Sequence, residues 1–464
     1  MGNTRRALLG VGAAAVAGGA IYGGSQVFGA GADLAPGRSR AKPMRTDRTP
    51  PSEADVVVIG GGNLGAAAAY YLARAGHRVV LCEKGAIGGE ASGRSVGQVF
   101  SLGASATVLP IIDLAKRMWV DINAELQQET GYRRNGLIMK IADAEQRHYW
   151  EGWKRDRGDL ANSAVLLDAP ATRARVQAAS PWSGAIFDPT DGCAEPTLVA
   201  TAFATAAQKL GATIVAPCAV RGFETSASGV SSVITEAGVI RTRNVVCAGG
   251  AWSSAFFHNF GVRLPTADVF SWCASFYDAH GPDGAGDFDN VTWRKQIDGG
   301  YTTSMQVSTA PITPRLLREM GAFGDTAGDT SWTVKPRLGR YFFDELLAGD
   351  RWTLDQVTPF EKRRILEPAL NRGVVEGALK KMRQEIPAFG ALRLGEAWGG
   401  VLSATPDQLP VLGAVTKIPG LIVATGFTDG LTLAPAVGKA VADLVSGRPT
   451  DFDLKPFSIE RFEG

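Results

Sequence analysis

The run Val56-Val57-Val58-Ile59 leads directly into Gly60-Gly61-Gly62-Asn63-Leu64-Gly65, and this junction limits the possible fold more than any other part of the chain. An apolar strand that ends on Gly-x-Gly-x-x-Gly and opens an alanine-rich helix over residues 66–74, stopping at Gly76, is the first half of a dinucleotide-binding βαβ unit. Arg78-Val79-Val80-Leu81-Cys82 predicts the second strand, and Glu83 follows 21 residues after Gly62 (83 minus 62), where an acidic side chain accepts hydrogen bonds from an adenosine ribose. Gly60 makes the tight turn, Gly62 lets the backbone approach a pyrophosphate, and Gly65 lets helix and strand pack closely. Asn63 and Leu64 open a helix whose unpaired N–H groups and positive dipole end favour the diphosphate anion.

A chain of 464 residues exceeds the length at which one core stops growing, so two intertwined domains are expected behind an N-terminal segment. Lys+Arg 48 against Asp+Glu 46 leaves no basic excess, and no basic run is interleaved with aromatics, so nucleic acid is not an expected partner. The five cysteines (Cys82, Cys193, Cys218, Cys247, Cys273) form no Cys-x-x-Cys pair, and the four histidines lack metal-ligand spacing. They read as core thiols and ordinary histidines, so no metal is expected and redox chemistry must come from an organic cofactor.

The N-terminus opens with Arg5-Arg6 ahead of an uncharged Ala/Gly/Val-rich run to about Val27. This pattern reads as a twin-arginine export signal over residues 1–32, either cleaved or retained as an anchor, and such signals suit proteins that fold around a cofactor before export. Residues 33–52, with several Pro and Arg, read as a linker.

Beyond Glu83 and Lys84, the loop through Ser92, Arg94 and Gln98 is rich in glycine and donors suited to a diphosphate or an isoalloxazine edge. Cys218-Ala219-Val220 reads as a strand end near the adenine, and Asn244 to Cys247 as a strand running into Ala248, Gly249 and Trp252; both are expected to extend the nucleotide sheet. A strand over residues 421–424 leads to Gly426, then Asp429-Gly430-Leu431-Thr432 and a final helix. At the pyrimidine side of a flavin, that helix dipole would stabilise negative charge formed on reduction.

These segments resemble the D-amino-acid-oxidase-like superfamily of flavoenzymes over nearly the whole chain. Within it the chain looks most like bacterial membrane-associated L-amino acid deaminases, through the twin-arginine start, Glu90-Ala91-Ser92-Gly93-Arg94 ahead of Gln98, Ala219-Val220-Arg221-Gly222, Thr358-Pro359-Phe360-Glu361, and Pro456-Phe457-Ser458-Ile459-Glu460-Arg461-Phe462. The resemblance implies an α/β FAD-binding domain, Rossmann-like and of glutathione-reductase type, over residues 53–131, 190–265 and 395–464. It implies an α+β substrate domain on an antiparallel sheet over 132–189 and 266–394, with a membrane-associating insertion at 311–364. It also implies noncovalent FAD, oxidation of an amino acid to an imino acid that hydrolyses to keto acid and ammonia, and electrons passed to a respiratory quinone or other acceptor at the periplasmic face of the membrane.

Two positions depart from that family. Where the deaminases carry an arginine that clamps the substrate carboxylate, this chain has Gln306, and where they carry a bulky apolar side chain ahead of the last helix it has Asp429. One reading is a substrate of more positive character, such as a basic amino acid or an amine. The other is that Asp429 caps the last helix while Arg294 or Lys295 binds the carboxylate. Gln98, Gln306, Asp429 and Arg294 are therefore the candidate catalytic and substrate residues. The 311–364 segment also reads as a helix packed on its own domain. Competing activities are oxidation of N-methylated or other amines, and service as a flavin-binding accessory subunit.

Overall fold

The computed structural model describes residues 32–177, 182–277, 280–323 and 333–463; of the export signal expected over residues 1–32, all but Ala32 lies outside them. Its nucleotide-binding layer is a six-stranded sheet ordered β20-β21-β12-β1-β2-β8: Val411–Ala414 (β20), Leu421–Thr425 (β21), Asn244–Cys247 (β12), Val56–Ile59 (β1), Val79–Cys82 (β2) and Thr213–Val215 (β8). All neighbours pair in parallel except β20 with β21. Every residue of β1 and β2 is buried because both faces are covered, which is why each reads as an unbroken apolar run.

Alternate residues enter different cores. Val56, Val58, Val79 and Leu81 face the helices Asn63–Arg74 (α1), Pro196–Lys209 (α3) and Gly430–Val445 (α6), while Val57, Ile59, Val80 and Cys82 pack with Phe223, Val233 and Ile240 on the opposite side. Each such buried Val or Leu contributes roughly 1.5–3 kcal/mol. A Cβ on Gly438 of α6 would lie 2.7 Å from the carbonyl carbon of Ala67, so the two helices meet nearly backbone to backbone. Helix Leu109–Val120 (α2) completes that layer, and Trp119 donates to the Thr432 carbonyl at 2.8 Å.

The opposite layer corrects one expectation. Val220 opens β9 (Val220–Ser226), which pairs with Gly229–Thr235 (β10) and through it with Gly238–Arg241 (β11) in a separate antiparallel three-stranded sheet. Only β12 of the two expected segments joins the nucleotide sheet, whose edge is β8 instead. Val230 and Val233 of β10 are brought to one buried core across a register shift in the β9–β10 pairing, as suits a sheet laid on another sheet.

The third sheet has ten strands in the order β18-β17-β13-β16-β15-β14-β4-β6-β5, with β19 also pairing β13. These are Thr333–Arg337 (β18), Val307–Pro311 (β17), Ala267–Tyr277 (β13), Tyr301–Met305 (β16), Val291–Lys295 (β15), Ala285–Phe288 (β14), Leu137–Ile141 (β4), Gly184–Asp188 (β6), Val165–Asp168 (β5) and Arg393–Ala404 (β19). It is antiparallel except at β14 with β4 and β17 with β18. Residues from 395 on, read from sequence as nucleotide domain, thus begin within this sheet, because β19 pairs with β13 along nearly its whole length.

Period-two alternation gives this sheet two different faces. Phe270, Trp272, Ala274 and Phe276 of β13 enter a core with Trp293, Tyr301 and Phe389, while Ser271 and Cys273 turn toward the nucleotide layer. A two-stranded ribbon, Gln98–Val99 (β3) with Gly192–Cys193 (β7), bridges the layers. All five cysteines are buried and unpaired.

Candidate active site

A cavity of about 1460 Å³ lies between the carboxyl ends of the nucleotide sheet and the polar face of the large sheet. That exceeds the roughly 300–1,000 Å³ of a drug-sized site, leaving room for a dinucleotide and a small substrate together. Gly60, Gly62, Asn63, Leu64, Glu83, Lys84, Ser92, Arg94, Val220, Ala248, Gly249, Trp252, Gly426, Gly430, Leu431 and Thr432 all line it, as do Gln98, Gln306 and Asp429.

At the strand-to-helix turn Gly60 has φ +103°, and a Cβ there would lie 2.4 Å from the Ala248 carbonyl oxygen. Gly65 is outside the lining but underneath it: its Cβ would sit 1.9 Å from the Gly60 carbonyl oxygen. The α1 N-terminus has no side-chain cap; the Asn63 N–H donates to Ser92 Oγ at 2.9 Å, and Asn63 Oδ1 is buried without a partner. A helix start without a side-chain cap leaves N–H groups for a diphosphate anion, while the unpartnered Asn63 Oδ1 is an acceptor that calls for a donor such as a ligand hydroxyl.

Glu83 directly follows β2 and accepts the Gly61 N–H and the Gly85 N–H, each at 2.7 Å. Burial raises its pKa, opposed by Lys84 and these N–H donors. The carboxylate is thus oriented across the turn, at the position expected for ribose. Lys84 is engaged by Glu90 at 2.9 Å and the Arg364 carbonyl, and Trp252 donates to Glu90 at 3.2 Å.

Arg94 departs from the role expected of it. The residue is 2% exposed, and its guanidinium donates to the carbonyls of Gly89, Gly399 and Arg38, with Glu367 at 3.3 Å. It braces the glycine-rich loop against β19, and its charge is met by protein groups.

Arg294 departs further. Its guanidinium grips Glu195 with Nη1 to Oε1 at 2.8 Å and Nη2 to Oε2 at 2.6 Å, and Nε donates to the Val96 carbonyl. It lies outside the main cavity lining, and Lys295 is paired with Asp283 at 2.7 Å. Neither cation is free to take a substrate carboxylate. Asp429 occupies the N-cap position of α6 but makes no side-chain cap bond, so the capping account of it also fails. Burial alone pushes its carboxyl up to about 6.

Around the Gln98 side chain the cavity wall is a hydrogen-bonded chain. Gln98 Nε2 donates to Asp287 Oδ1 at 3.1 Å and to the Trp293 carbonyl at 3.4 Å, and Gln306 Nε2 donates to Thr292 Oγ1 at 3.4 Å. Thr432 of α6 donates to the Gln98 carbonyl at 3.4 Å, so the last helix and β3 are tied at this point. Asp287 was not among the residues singled out from sequence. It lies in Gly284-Ala285-Gly286-Asp287-Phe288-Asp289, which reads as a turn; only pairing on both sides makes it a strand.

A Rossmann-like layer carrying a dinucleotide turn, closed over a polar antiparallel sheet, defines a flavin-dependent oxidoreductase. Residues 55–444 match the DAO family model, FAD dependent oxidoreductase, and the chain belongs to that family. Among solved structures it is similar to the L-amino acid deaminase from Proteus myxofaciens, at 32% identity and TM-score 0.91, covering 94% of this chain and 100% of that one. The L-amino acid deaminase from Proteus vulgaris gives 31% identity and TM-score 0.86, covering 90% and 100%. Among curated relatives, glycine oxidase from Geobacillus kaustophilus is 28% identical over 88% of this chain and 97% of its own length. The protein is therefore an FAD-dependent enzyme.

Proposed function

We propose that the chain oxidises the C–N bond of an amino acid, giving an imino acid that hydrolyses to keto acid and ammonia, with electrons delivered to a respiratory quinone rather than to oxygen. The observation carrying this reading is the single cavity that joins the dinucleotide turn at Gly60 to the Gln98, Gln306 and Asp429 side chains. FAD bound there supplies a two-electron acceptor. The chain's own part is binding and alignment: the amides of Gln98 and Gln306 offer neutral donors and acceptors, and the surrounding sheet and α6 exclude water. Similarity to the two Proteus deaminases supports the substrate class.

Export by the twin-arginine route and action at the periplasmic face of the membrane belong to the same proposal. Helices Pro314–Glu319 (α4) and Arg340–Ala348 (α5) fall in the 311–364 insertion and expose Leu317, Phe343, Leu346 and Leu347, the last 86% accessible. Such a cluster suits shallow insertion at a lipid interface. Among the described residues no helix is long and apolar enough to cross a membrane.

A second reading, oxidation of N-methylated or other amines, is favoured by one observation: among the described residues, each cation lining the cavity has an acidic partner, so a carboxylate has no ready clamp. Anaerobic bleaching of the purified holoprotein's flavin absorbance by L- and D-amino acids, N-methyl amino acids and simple amines tests both. Bleaching by L-amino acids with release of ammonia and keto acid supports the first reading; bleaching only by amines lacking a carboxylate replaces it with the second. Tight FAD binding with no bleaching by any of them would instead mark an accessory subunit.

A further inference from the structure

One row of cross-strand partners runs along the polar face of the large sheet: Met139 of β4, Asp287 of β14, Thr292 of β15, Ser304 of β16 and Cys273 of β13. Directly paired residues point to the same face, and all five line the cavity. Asp287 is the one member of this row that carries a charge at neutral pH, since burial holds the Cys273 thiol up at about 11.

The charges around the cavity do not balance. Lys84 is paired with Glu90 at 2.9 Å, Arg94 with Glu367 at 3.3 Å, and Lys140 with Glu385 at 2.5 Å and Asp289 at 3.4 Å. Asp407 is paired with Arg461 at 2.7 Å, and Glu83 accepts two backbone N–H groups. Among the described residues, three lining carboxyls, Glu83, Asp287 and Asp429, form no ion pair, and of these only Glu83 is met by backbone N–H groups. A carboxylate withdrawn from water without a counter-charge is costly, and a cation delivered by a ligand removes that cost.

We propose that Asp287 binds the positively charged end of the substrate, so that the preferred substrate is an organic cation bearing a distal ammonium or guanidinium group. This rests on reading the cavity as the site of amine or amino acid oxidation. The neutral donors Gln98 and Thr292 hold the Asp287 carboxyl in place facing the cavity, and Gln306 hydrogen-bonds to Thr292. Burial pushes the Asp287 carboxyl up to about 6, against the Gln98 and Thr292 hydrogen bonds, which leaves it ionised at pH 8. No arginine stands in the row to attract a carboxylate to the same place.

The test is anaerobic flavin bleaching of the holoenzyme at pH 8 by L-lysine, L-arginine, L-leucine, L-phenylalanine and L-glutamate, together with cadaverine and agmatine. L-lysine and L-arginine against cadaverine and agmatine separate a basic amino acid from a carboxylate-free amine. The expected result is preference for the cationic probes, with Asp287→Asn lowering the cationic-to-neutral ratio of kcat/KM at least tenfold, mainly through KM, and Asp287→Glu retaining most of it. FAD content and the thermal midpoint of each variant are measured alongside. A wild-type enzyme that takes L-leucine or L-phenylalanine as well as L-lysine overturns the proposal without any variant. An Asp287→Asn that slows every probe equally also overturns it and makes Asp287 a positioning residue for Gln98, while the oxidation reading stands. Bleaching by none of the probes overturns the oxidation reading and the proposal together.

Discussion

Arg294 and Glu195 form a two-pronged buried ion pair, 2.8 and 2.6 Å long, whose arginine also reaches the Val96 carbonyl beside the cavity. A Cβ on the intervening Gly97, at φ +101°, would lie 2.4 Å from Arg294 Nε, so the pair sets the path of the chain into Gln98. Removing one partner leaves an uncompensated buried charge, so Glu195→Gln is expected to cost about 3–5 kcal/mol. Replacing both with methionine should recover most of that loss. Urea unfolding of both variants measures it, and a single variant within 1 kcal/mol of wild type on the ~1 kcal/mol scale of a surface pair would show the pair to be inessential.

The dinucleotide turn makes a sharper claim. Gly65→Ala places a methyl group 1.9 Å from the Gly60 carbonyl oxygen, with no flexible side chain to yield. The variant is expected to purify with less than about a tenth of the normal FAD, since helix and strand must separate to admit the methyl. Flavin absorbance per protein after gel filtration gives the answer.

Gln306→Arg should restore an anion clamp on the cavity wall. A charge-assisted, two-pronged contact is worth roughly 1.5–3 kcal/mol, so KM for neutral L-amino acids should fall about 10- to 100-fold with little change for simple amines. Equal change in both classes, measured by steady-state reduction of an artificial acceptor, would show that the carboxylate lies elsewhere.

Burial pushes Asp287 and Asp429 up to about 6, above the ordinary aspartate value of 3.8. Each of these two carboxyls therefore binds more protons in the folded apoprotein than in the unfolded chain between about pH 4 and 6, and its own contribution to stability falls as pH rises through that window. Asp429→Asn removes one of these charges, so its apoprotein should melt above wild type at pH 8 and alongside it near pH 4. Thermal melts at the two pH values decide.

Membrane attachment through the 311–364 segment is checked with Leu347→Glu, which puts a charge on the most exposed apolar side chain of α5. Co-sedimentation with anionic lipid vesicles should drop about tenfold, in line with roughly 1.5–3 kcal/mol for a buried leucine. Unchanged sedimentation would return this segment to the role of a helix pair packed on its own domain.

The nucleotide layer was legible in the sequence because its signals are local. The unbroken apolar runs at Val56–Ile59 and Val79–Cys82 and the glycine spacing between them are set by residues within a few positions of one another. Tertiary structure decided the substrate side. Val220 belongs to a separate sheet because β10 pairs with it, and Asp287 becomes a cavity residue only when β4 and β15 flank β14. Arg294 lies 99 positions from Glu195 in sequence, and Arg94 reaches a carbonyl 305 positions away. Whether such a cation meets a substrate or another part of the protein depends on which distant strand lies opposite it, and residue type alone carries no information about that pairing.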